Sequence, residues 1–387
     1  MQLLYPDLCI KIIVMTIAVL GAGMVGRAIA LDLAPHFDVT SFDIHEEHLQ
    51  LLRKKNPAIK TVKADLQKHS TYESLLNPFD LVIMAVPGFM GFSTLRQVIL
   101  CGKNVVDISF FPEDAHHLDA LAKEHGVTAI VDCGVAPGMS NLILGRYNEE
   151  MQVSNFEAYV GGLPKIRTKP FEYKAPFSPV DVIQEYIRPA RLKENGNIVI
   201  KQALSDGELM EYEQVGTLEA FNTDGLRSLL FSFPAIPNMK EKTMRYPGHA
   251  ALITQFKEAG FFNEEPITFH GAEISPLQFV SQLLVKQWKL GETEKELTVM
   301  RVIVDGHKDN NFHRVEYNLY DEYDEVTQTS SMARTTGYTC TAAVHLLHKK
   351  MFTEKGVFPP EFLGKKKACF DFVMQHLKER GVFWRKA

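Results

Sequence analysis

Short apolar runs alternate with stretches of helical spacing through the first 131 residues. Thr16 to Leu20, Phe37 to Phe42, Thr61 to Leu66, Asp80 to Val86, Asn104 to Ile108 and Val127 to Val131 are too short for helices and read as strands. Asp80 to Val86, bounded by Asn77-Pro78 and Pro87-Gly88, fits a strand buried on both faces of a parallel sheet. Met24 to Ala34, Glu46 to Lys55, Ser93 to Leu100 and Glu113 to His125 supply helices between them, the second ending before the breaker pair Asn56-Pro57. Strands alternating with helices in this way predict a doubly wound parallel sheet.

From Asn155 the rhythm changes. Phe156 to Val160, Asn197 to Ala203, Ile267 to Glu273, Leu297 to Val304 and Arg314 to Tyr320 read as longer, alternating strands, with a hairpin turn expected at Asp305 to Asp309. Helices at Val180 to Tyr186, Gly248 to Ala259 and Leu277 to Leu290 are interspersed. These elements predict an α+β unit with an open mixed sheet whose alternating strands read as antiparallel, one face on helices and the other lining a cleft or a contact between copies. Met332 to His348 is a helix with small residues on one side, expected to pack on the first unit.

The turn after the first strand gives that unit a ligand. Gly21-Ala22-Gly23-Met24-Val25-Gly26 stands between strand and helix, as a dinucleotide fold requires. Gly21 permits the tight turn, Gly23 admits a pyrophosphate to the backbone, and Gly26 lets helix and strand close up. The helix start at Met24 and Val25 offers N–H groups and a dipole to the phosphates. Asp43 ends the second strand about twenty residues on, where a carboxylate accepts ribose hydroxyls and repels a 2′-phosphate. NAD is therefore the expected cofactor, ahead of NADP. Asp65-Leu66 falls where such folds meet the adenine, Val86-Pro87 lies at the carboxyl edge of the sheet, and Gly134-Val135 suits the nicotinamide end. The expected fold is α/β: a Rossmann-type domain over 15–134, an inserted α+β catalytic domain over 135–330, and C-terminal helices over 331–387 that return to the first domain. Residues 1–14 read as an extension ahead of the first strand.

Composition narrows the partners. The 387 residues are 45% hydrophobic and 23% charged, ordinary for a globular chain, and 42 Lys and Arg against 47 Asp and Glu leave no basic field for nucleic acid or anionic lipid. Cys9, Cys101, Cys133, Cys340 and Cys369 are odd in number and scattered, so neither a disulfide framework nor a metal site is indicated and a cytoplasmic setting is expected. The apolar run Ile10 to Leu20 is interrupted by Lys11, too short for a bilayer, and without the marks of a signal peptide.

Three phrases carry residues suited to chemistry. Asp132 to Asn141 opens a helix with Gly and Pro at the sheet's carboxyl edge, which suits a nicotinamide or a substrate carboxylate, and equally a domain crossover that needs only a turn. In Tyr159-Val160-Gly161-Gly162-Leu163-Pro164 the paired glycines point to close approach of a ligand to the backbone. Arg245-Tyr246-Pro247-Gly248-His249 joins a guanidinium, a phenol and an imidazole. Arg245 is the expected partner of a substrate carboxylate, with Tyr246 beside it, although an ion pair with a nearby glutamate would use the same group. His249 is a candidate base or else a core or cap histidine, and Tyr159 and Asp181 are further candidates.

These phrases belong to a longer series: GAGMVG, CGVAPGMSN, YVGGLP, FSPVDVIQEYIRPA, LEAFNTDG, KTMRYPGHA, RVIVDGHKD, MARTTGYT and GVFPPE, in order from Gly21 to Glu361. The series resembles the saccharopine reductase-like family, and most closely its lysine 6-dehydrogenase branch. The resemblance implies NAD-linked oxidation of a lysine 6-amine to an imine, hydrolysis to a semialdehyde that cyclises onto its own 2-amine, and a homodimer or larger oligomer. Members that make saccharopine carry Asp where this chain has Ala136 and Cys where it has Val160, which argues against saccharopine as substrate. The same scaffold could host a saccharopine dehydrogenase-like enzyme, a reductase of carboxylated polyamines or other imines, or a nucleotide-binding regulator without turnover.

Overall fold

The computed structural model describes residues 15–387; the extension expected over 1–14 lies outside the described residues. The first domain runs β1 (Thr16–Leu20), α1 (Met24–Leu33), β2 (Asp38–Asp43), α2 (Glu46–Lys55), β3 (Lys60–Lys63), α3 (Tyr72–Leu76), β4 (Leu81–Met84), α4 (Gly88–Leu100), β5 (Asn104–Asp107), α5 (Asp119–Glu124) and β6 (Thr128–Ile130). All six strands are parallel, in the order β6-β5-β4-β1-β2-β3. β1 and β4 are buried along almost their whole length, which is why their sequences are apolar without alternation. The helix expected over Glu113 to His125 is shorter, because the Asp114 side chain accepts from the His116 N–H and sets a 3-10 turn ahead of α5.

α6 (Met139–Asn148) leads into β7 (Gln152–Pro164), followed by α7 (Pro179–Ile187), β8 (Ala190–Glu194), β9 (Asn197–Lys201), β10 (Glu208–Tyr212), β11 (Gly216–Asn222), α8 (Leu229–Ser232) and β12 (Asn238–Arg245). Then come α9 (His249–Glu258), β13 (Ile267–Phe269), β14 (Ala272–Ile274), α10 (Pro276–Trp288), β15 (Glu296–Lys308) and β16 (Asn311–Glu322). The second sheet has the order β10-β11-β12-β7-β15-β16, with β8 attached to β12 and β9 to β8. It is mixed because β7 and β12 run parallel while its other pairs are antiparallel.

Two expectations are corrected here. The single strand over Ile267 to Glu273 is the hairpin β13–β14, folded at His270-Gly271 where both residues have positive φ. The turn expected at Asp305 to Asp309 lies further on, at Asp309-Asn310, both at positive φ. Gly306 stays in β15 and serves close approach, since a Cβ there would meet the Gln152 carbonyl.

The chain then runs through α11 (Ser331–His348), β17 (Gly356–Phe358), α12 (Pro360–Lys365), α13 (Lys367–Glu379) and β18 (Trp384–Lys386). Gly337 of α11 lies against Ala28 and Ile29 of α1, so the small face meets the nucleotide helix closely. The tail is not helical throughout: β17 adds a parallel strand beside β6, and β18 an antiparallel one beside β16. Among the described residues no helix is long and apolar enough to cross a membrane.

Candidate active site

The order of the parallel sheet reverses between β1 and β4, so the loops after these strands diverge and leave a crevice at the carboxyl edge. Gly21 turns out of β1 at φ +104, and a Cβ there would overlap the Ala85 carbonyl; one at Gly26 would overlap the carbonyl of Gly21. At Gly23, by contrast, nothing lies within 4 Å of an added Cβ. Gly23 caps α1 without a side chain, and Met24 and Val25 are partly exposed, so the helix start is open to an anion. Tight packing at Gly21 and Gly26 with open space over Gly23 fits a dinucleotide.

Asp43 stands beside this loop. Its Oδ2 accepts from the Ala22 N–H at 2.7 Å and its Oδ1 from the His45 N–H at 2.8 Å, while His48 Nδ1 lies 3.3 Å from Oδ2. Burial opposes the charge, but the bonds from His48, His45 and Ala22 outweigh it and hold the carboxyl below its ordinary range. After β3, Asp65 accepts from the Gln67 N–H at 3.1 Å, and buried Leu66 gives its carbonyl to the Tyr72 hydroxyl at 2.7 Å. Val86 is buried and Pro87 exposed beyond β4; Gly134 and Val135 are buried beyond β6, with Thr336 of α11 against Gly134. These positions follow successive strands along one edge of the sheet.

A cleft opens between that edge and the second sheet. The nucleotide domain supplies Phe110 and the loop ahead of α6 supplies Ala136; β7 supplies Val160, α7 supplies Glu185, and the residue after α7 is Arg188. Thr223, Asp224 and Gly225, just past β11, and Glu241 and Thr243 of β12 complete the lining. The parallel register sets Thr243 beside Val160. Ala136 and Val160 therefore line one cleft.

Three carboxyl groups border it, and one of them, Asp224, is held by Arg191 through bonds of 2.9 and 2.8 Å. Glu241 Oε2 accepts from Thr223 Oγ1 at 2.7 Å and from the Gly225 N–H at 3.1 Å, and Thr223 Oγ1 lies 2.8 Å from Thr243 Oγ1. Burial pushes Glu241 up to about 8, against its bonds from Thr223 and Gly225 and with help from the charge of Glu185. Glu185 is pushed up to about 7 by burial although the Arg245 charge opposes it, and its Oε2 has no hydrogen-bond partner among the described residues. Arg188 lies 5.6 Å from the Phe110 ring centre and makes neither a side-chain hydrogen bond nor an ion pair among the described residues. One uncommitted guanidinium and two carboxyls poised near neutrality can recognise a molecule that carries both a carboxylate and an amine.

The phrase Arg245 to His249 lies elsewhere. Arg245 is 3% exposed; its Nε donates to the Tyr186 hydroxyl at 2.9 Å, and its other nitrogens to the Met244 carbonyl at 2.9 Å and the Tyr173 hydroxyl at 3.3 Å. With Glu185 Oε2 3.6 Å away, its fork is fully engaged by the protein and it positions Glu185. His249 is a core histidine: its ring nitrogens lie 3.1 Å from the Tyr186 hydroxyl and 2.9 Å from the Phe171 carbonyl. Burial and the charge of Arg245 push it down to about 3, so it stays neutral and outside the cleft lining. The Tyr246 hydroxyl donates to the Pro164 carbonyl at 3.0 Å.

Tyr159 points to the face opposite Val160, donating to Glu157 at 2.7 Å, and burial with that carboxylate raises its phenol far beyond ordinary tyrosine. Gly161 packs on Met244 and Val299, and Gly162 on Met332 and Pro176, so the paired glycines admit the protein's own side chains. Asp181 lies in the first turn of α7 near Gly88, where an added Cβ would sit 3.2 Å from its Oδ1, and it bridges the two domains. Glu185, Arg188, Thr223, Glu241 and Thr243 escape the sequence reading, although the first lies on, and the second just past, a helix that Ser178 and Pro179 announce as cap and first turn.

Residues 17–130 match the family model described as the saccharopine dehydrogenase NADP binding domain, and residues 134–382 the saccharopine dehydrogenase C-terminal domain. The mitochondrial alpha-aminoadipic semialdehyde synthase of Mus musculus is 25% identical over 286 residues, 69% of this chain and 30% of that protein. The chain thus spans about 30% of the length of such relatives. The carboxyaminopropylagmatine dehydrogenase of Synechocystis is 19% identical over 398 residues, covering 96% of this chain and 97% of that one. The apo saccharopine dehydrogenase (L-Glu forming) of Saccharomyces cerevisiae has the same fold, with a TM-score of 0.77 at 18% identity over 96% of this chain and 99% of that chain. A pyridine-nucleotide-binding domain followed by the C-terminal domain of one family accounts for nearly all the described residues: the chain belongs to the saccharopine dehydrogenase family.

Proposed function

We propose that this chain is an oxidoreductase that uses NAD to oxidise the 6-amine of L-lysine, releasing a semialdehyde that closes on its own 2-amine. The observation that carries this reading is the meeting of Arg188 with Glu185 and Glu241 in one cleft beside the nucleotide edge. Arg188 holds the substrate carboxylate, and the glutamates take the amine end. Saccharopine bears three carboxylates, whereas Arg188 is the one cation lining this cleft among the described residues. Ala136 and Val160 leave apolar wall where the saccharopine-making branch places polar groups. With Phe110 they keep water from the reacting carbon and strengthen the electrostatics of the enclosed charges.

A bound oxidised nicotinamide supplies the hydride acceptor. Asp43 favours NAD because its ionised carboxyl accepts ribose hydroxyls and repels a 2′-phosphate. Replacing it with Asn keeps the side chain's size and removes the charge. Asp43→Asn is expected to weaken NAD binding by roughly 10-fold or more, the worth of a charged hydrogen bond, and to narrow the preference over NADP. Titration with both nucleotides checks this, and an unchanged ratio removes Asp43 from the ribose site.

The activity test is NADH formation across lysine, ornithine, saccharopine, other amino acids and diamines at alkaline pH. Lysine with NAD should give turnover and saccharopine none; turnover of saccharopine alone would overturn the reading. A second reading rests on the near-complete coverage of the Synechocystis relative. A carboxylated polyamine also pairs one carboxylate with several amines, and its oxidation in preference to lysine would favour that substrate.

A further inference from the structure

Glu241 lies in the middle of β12 without a counter-cation. Its neighbours Lys240 and Lys242 point to the other face, where Lys240 pairs with Glu157 at 3.4 Å and Lys242 with Glu208 at 2.7 Å. An enclosed acid with no cation beside it costs stability, so its retention calls for a use. Its setting is built. A Cβ at Gly225 would run into the Glu241 carboxyl, so glycine there lets a backbone N–H reach Oε2. Thr223 makes the second bond to Oε2, and Thr243 continues the hydroxyl chain along the wall. Oε1 makes no hydrogen bond among the described residues and is not sealed from the cleft.

We propose that Glu241 is the base that takes the proton from the substrate ammonium before hydride transfer. The assignment rests on the amine-oxidation reading of the cleft. Glu185 is committed by its 3.6 Å approach to Arg245 and holds the charge of the amine end, while His249 has both ring nitrogens engaged. In the step, the N–H bond of R–CH2–NH3+ breaks, its electrons stay on nitrogen, and the proton bonds to Oε1. The free lone pair then forms the C=N bond as carbon gives up hydride with its electron pair, for which a bound oxidised nicotinamide would be the acceptor. Water adds to R–CH=NH2+, and the aldehyde and ammonium leave.

The match of acidities favours this role. An ordinary lysine ammonium near 10.4 and an ordinary glutamate near 4.3 oppose transfer by roughly a million-fold. With Glu241 at about 8 the opposition shrinks to a few hundred-fold. Burial sets this value, opposed by the bonds from Thr223 and Gly225 and reinforced by the charges of Glu185 on α7 and Asp224 beyond β11; of the cations on these elements, Arg188 lines the cleft just past α7 and Arg245 stands behind Glu185.

Because the folded acid titrates above its ordinary value, the carboxylate forms only as pH rises through about 8, so kcat/KM for lysine should rise through that pH. Glu241→Gln should lower kcat by about 10²- to 10⁴-fold, abolish the acid limb, and leave NAD affinity within a few-fold. Thr223→Val, which removes a bond to the charged form and leaves the carboxyl, should move the limb to higher pH. Binding of lysine at neutral pH, followed by calorimetry in buffers of different ionisation enthalpy, should release a proton from the native protein that E241Q does not release. An active native protein whose acid limb survives E241Q overturns the base alone. A native protein that oxidises no amine overturns the underlying reading, and the base with it.

Discussion

Arg188→Ala is expected to raise KM for lysine by roughly 10- to 100-fold while kcat changes little, the loss of a charge-assisted bond that ground state and transition state share. Cadaverine, the same diamine chain without the carboxylate, should be oxidised equally well by the native protein and the variant. This contrast separates a carboxylate contact from general damage to the cleft. Arg245→Ala should behave differently, since its guanidinium is bound by Tyr186, Tyr173 and Met244 and stands behind Glu185. Equal loss of lysine and cadaverine turnover in Arg188→Ala would take Arg188 out of the carboxylate site.

Arg227→Met should be the most destabilising of the changes considered. Arg227 Nε lies 2.9 and 3.0 Å from the two carboxylate oxygens of Asp132, its terminal amine donates to the Phe111 carbonyl at 2.6 Å, and both side chains are buried. Both residues also hold positive φ, 53° and 48°, a conformation that costs side-chain-bearing residues energy unless the surroundings enforce it. Removing one partner leaves the other charged and buried, a loss of about 3–5 kcal/mol. The pair joins the loop after β6 to the segment after β11, and the Arg227 guanidinium lies 4.7 Å from the Phe110 ring centre on the cleft wall. Activity should therefore fall with stability. Denaturant titration checks the size, and the double variant Asp132→Asn with Arg227→Met should recover part of the loss; full additivity would mean the pair does not couple.

The nucleotide edge is legible in the sequence because its determinants are local. Gly21 to Gly26 follow β1 directly, and Asp43 closes the next strand, so one βαβ unit displays the whole arrangement. The cleft is assembled by long-range pairing of α7, the segment after β11, and β12, and no short window contains it. β12 itself is hidden by its Lys-Glu-Lys-Thr pattern, polar on both faces. Lys240 and Lys242 reach glutamates on one side while Glu241 and Thr243 face the cleft on the other. The phrase Arg245 to His249 misleads for the opposite reason. Its polar groups look free in sequence, and Tyr173 and Tyr186, some sixty to seventy residues earlier, satisfy them. Ala136 and Val160 stand out only beside the family resemblance, since nothing in an alanine or a valine announces a missing polar group.

The most direct test of the central claim is the fate of nitrogen in lysine isotopically labelled at its 6-amine, incubated with the protein and NAD. The account predicts labelled ammonium released in step with NADH, with an unlabelled cyclic imine as the other product. NADH formed while the label stays in the organic product, or labelled ammonium released only from lysine marked at its 2-amine, would contradict it.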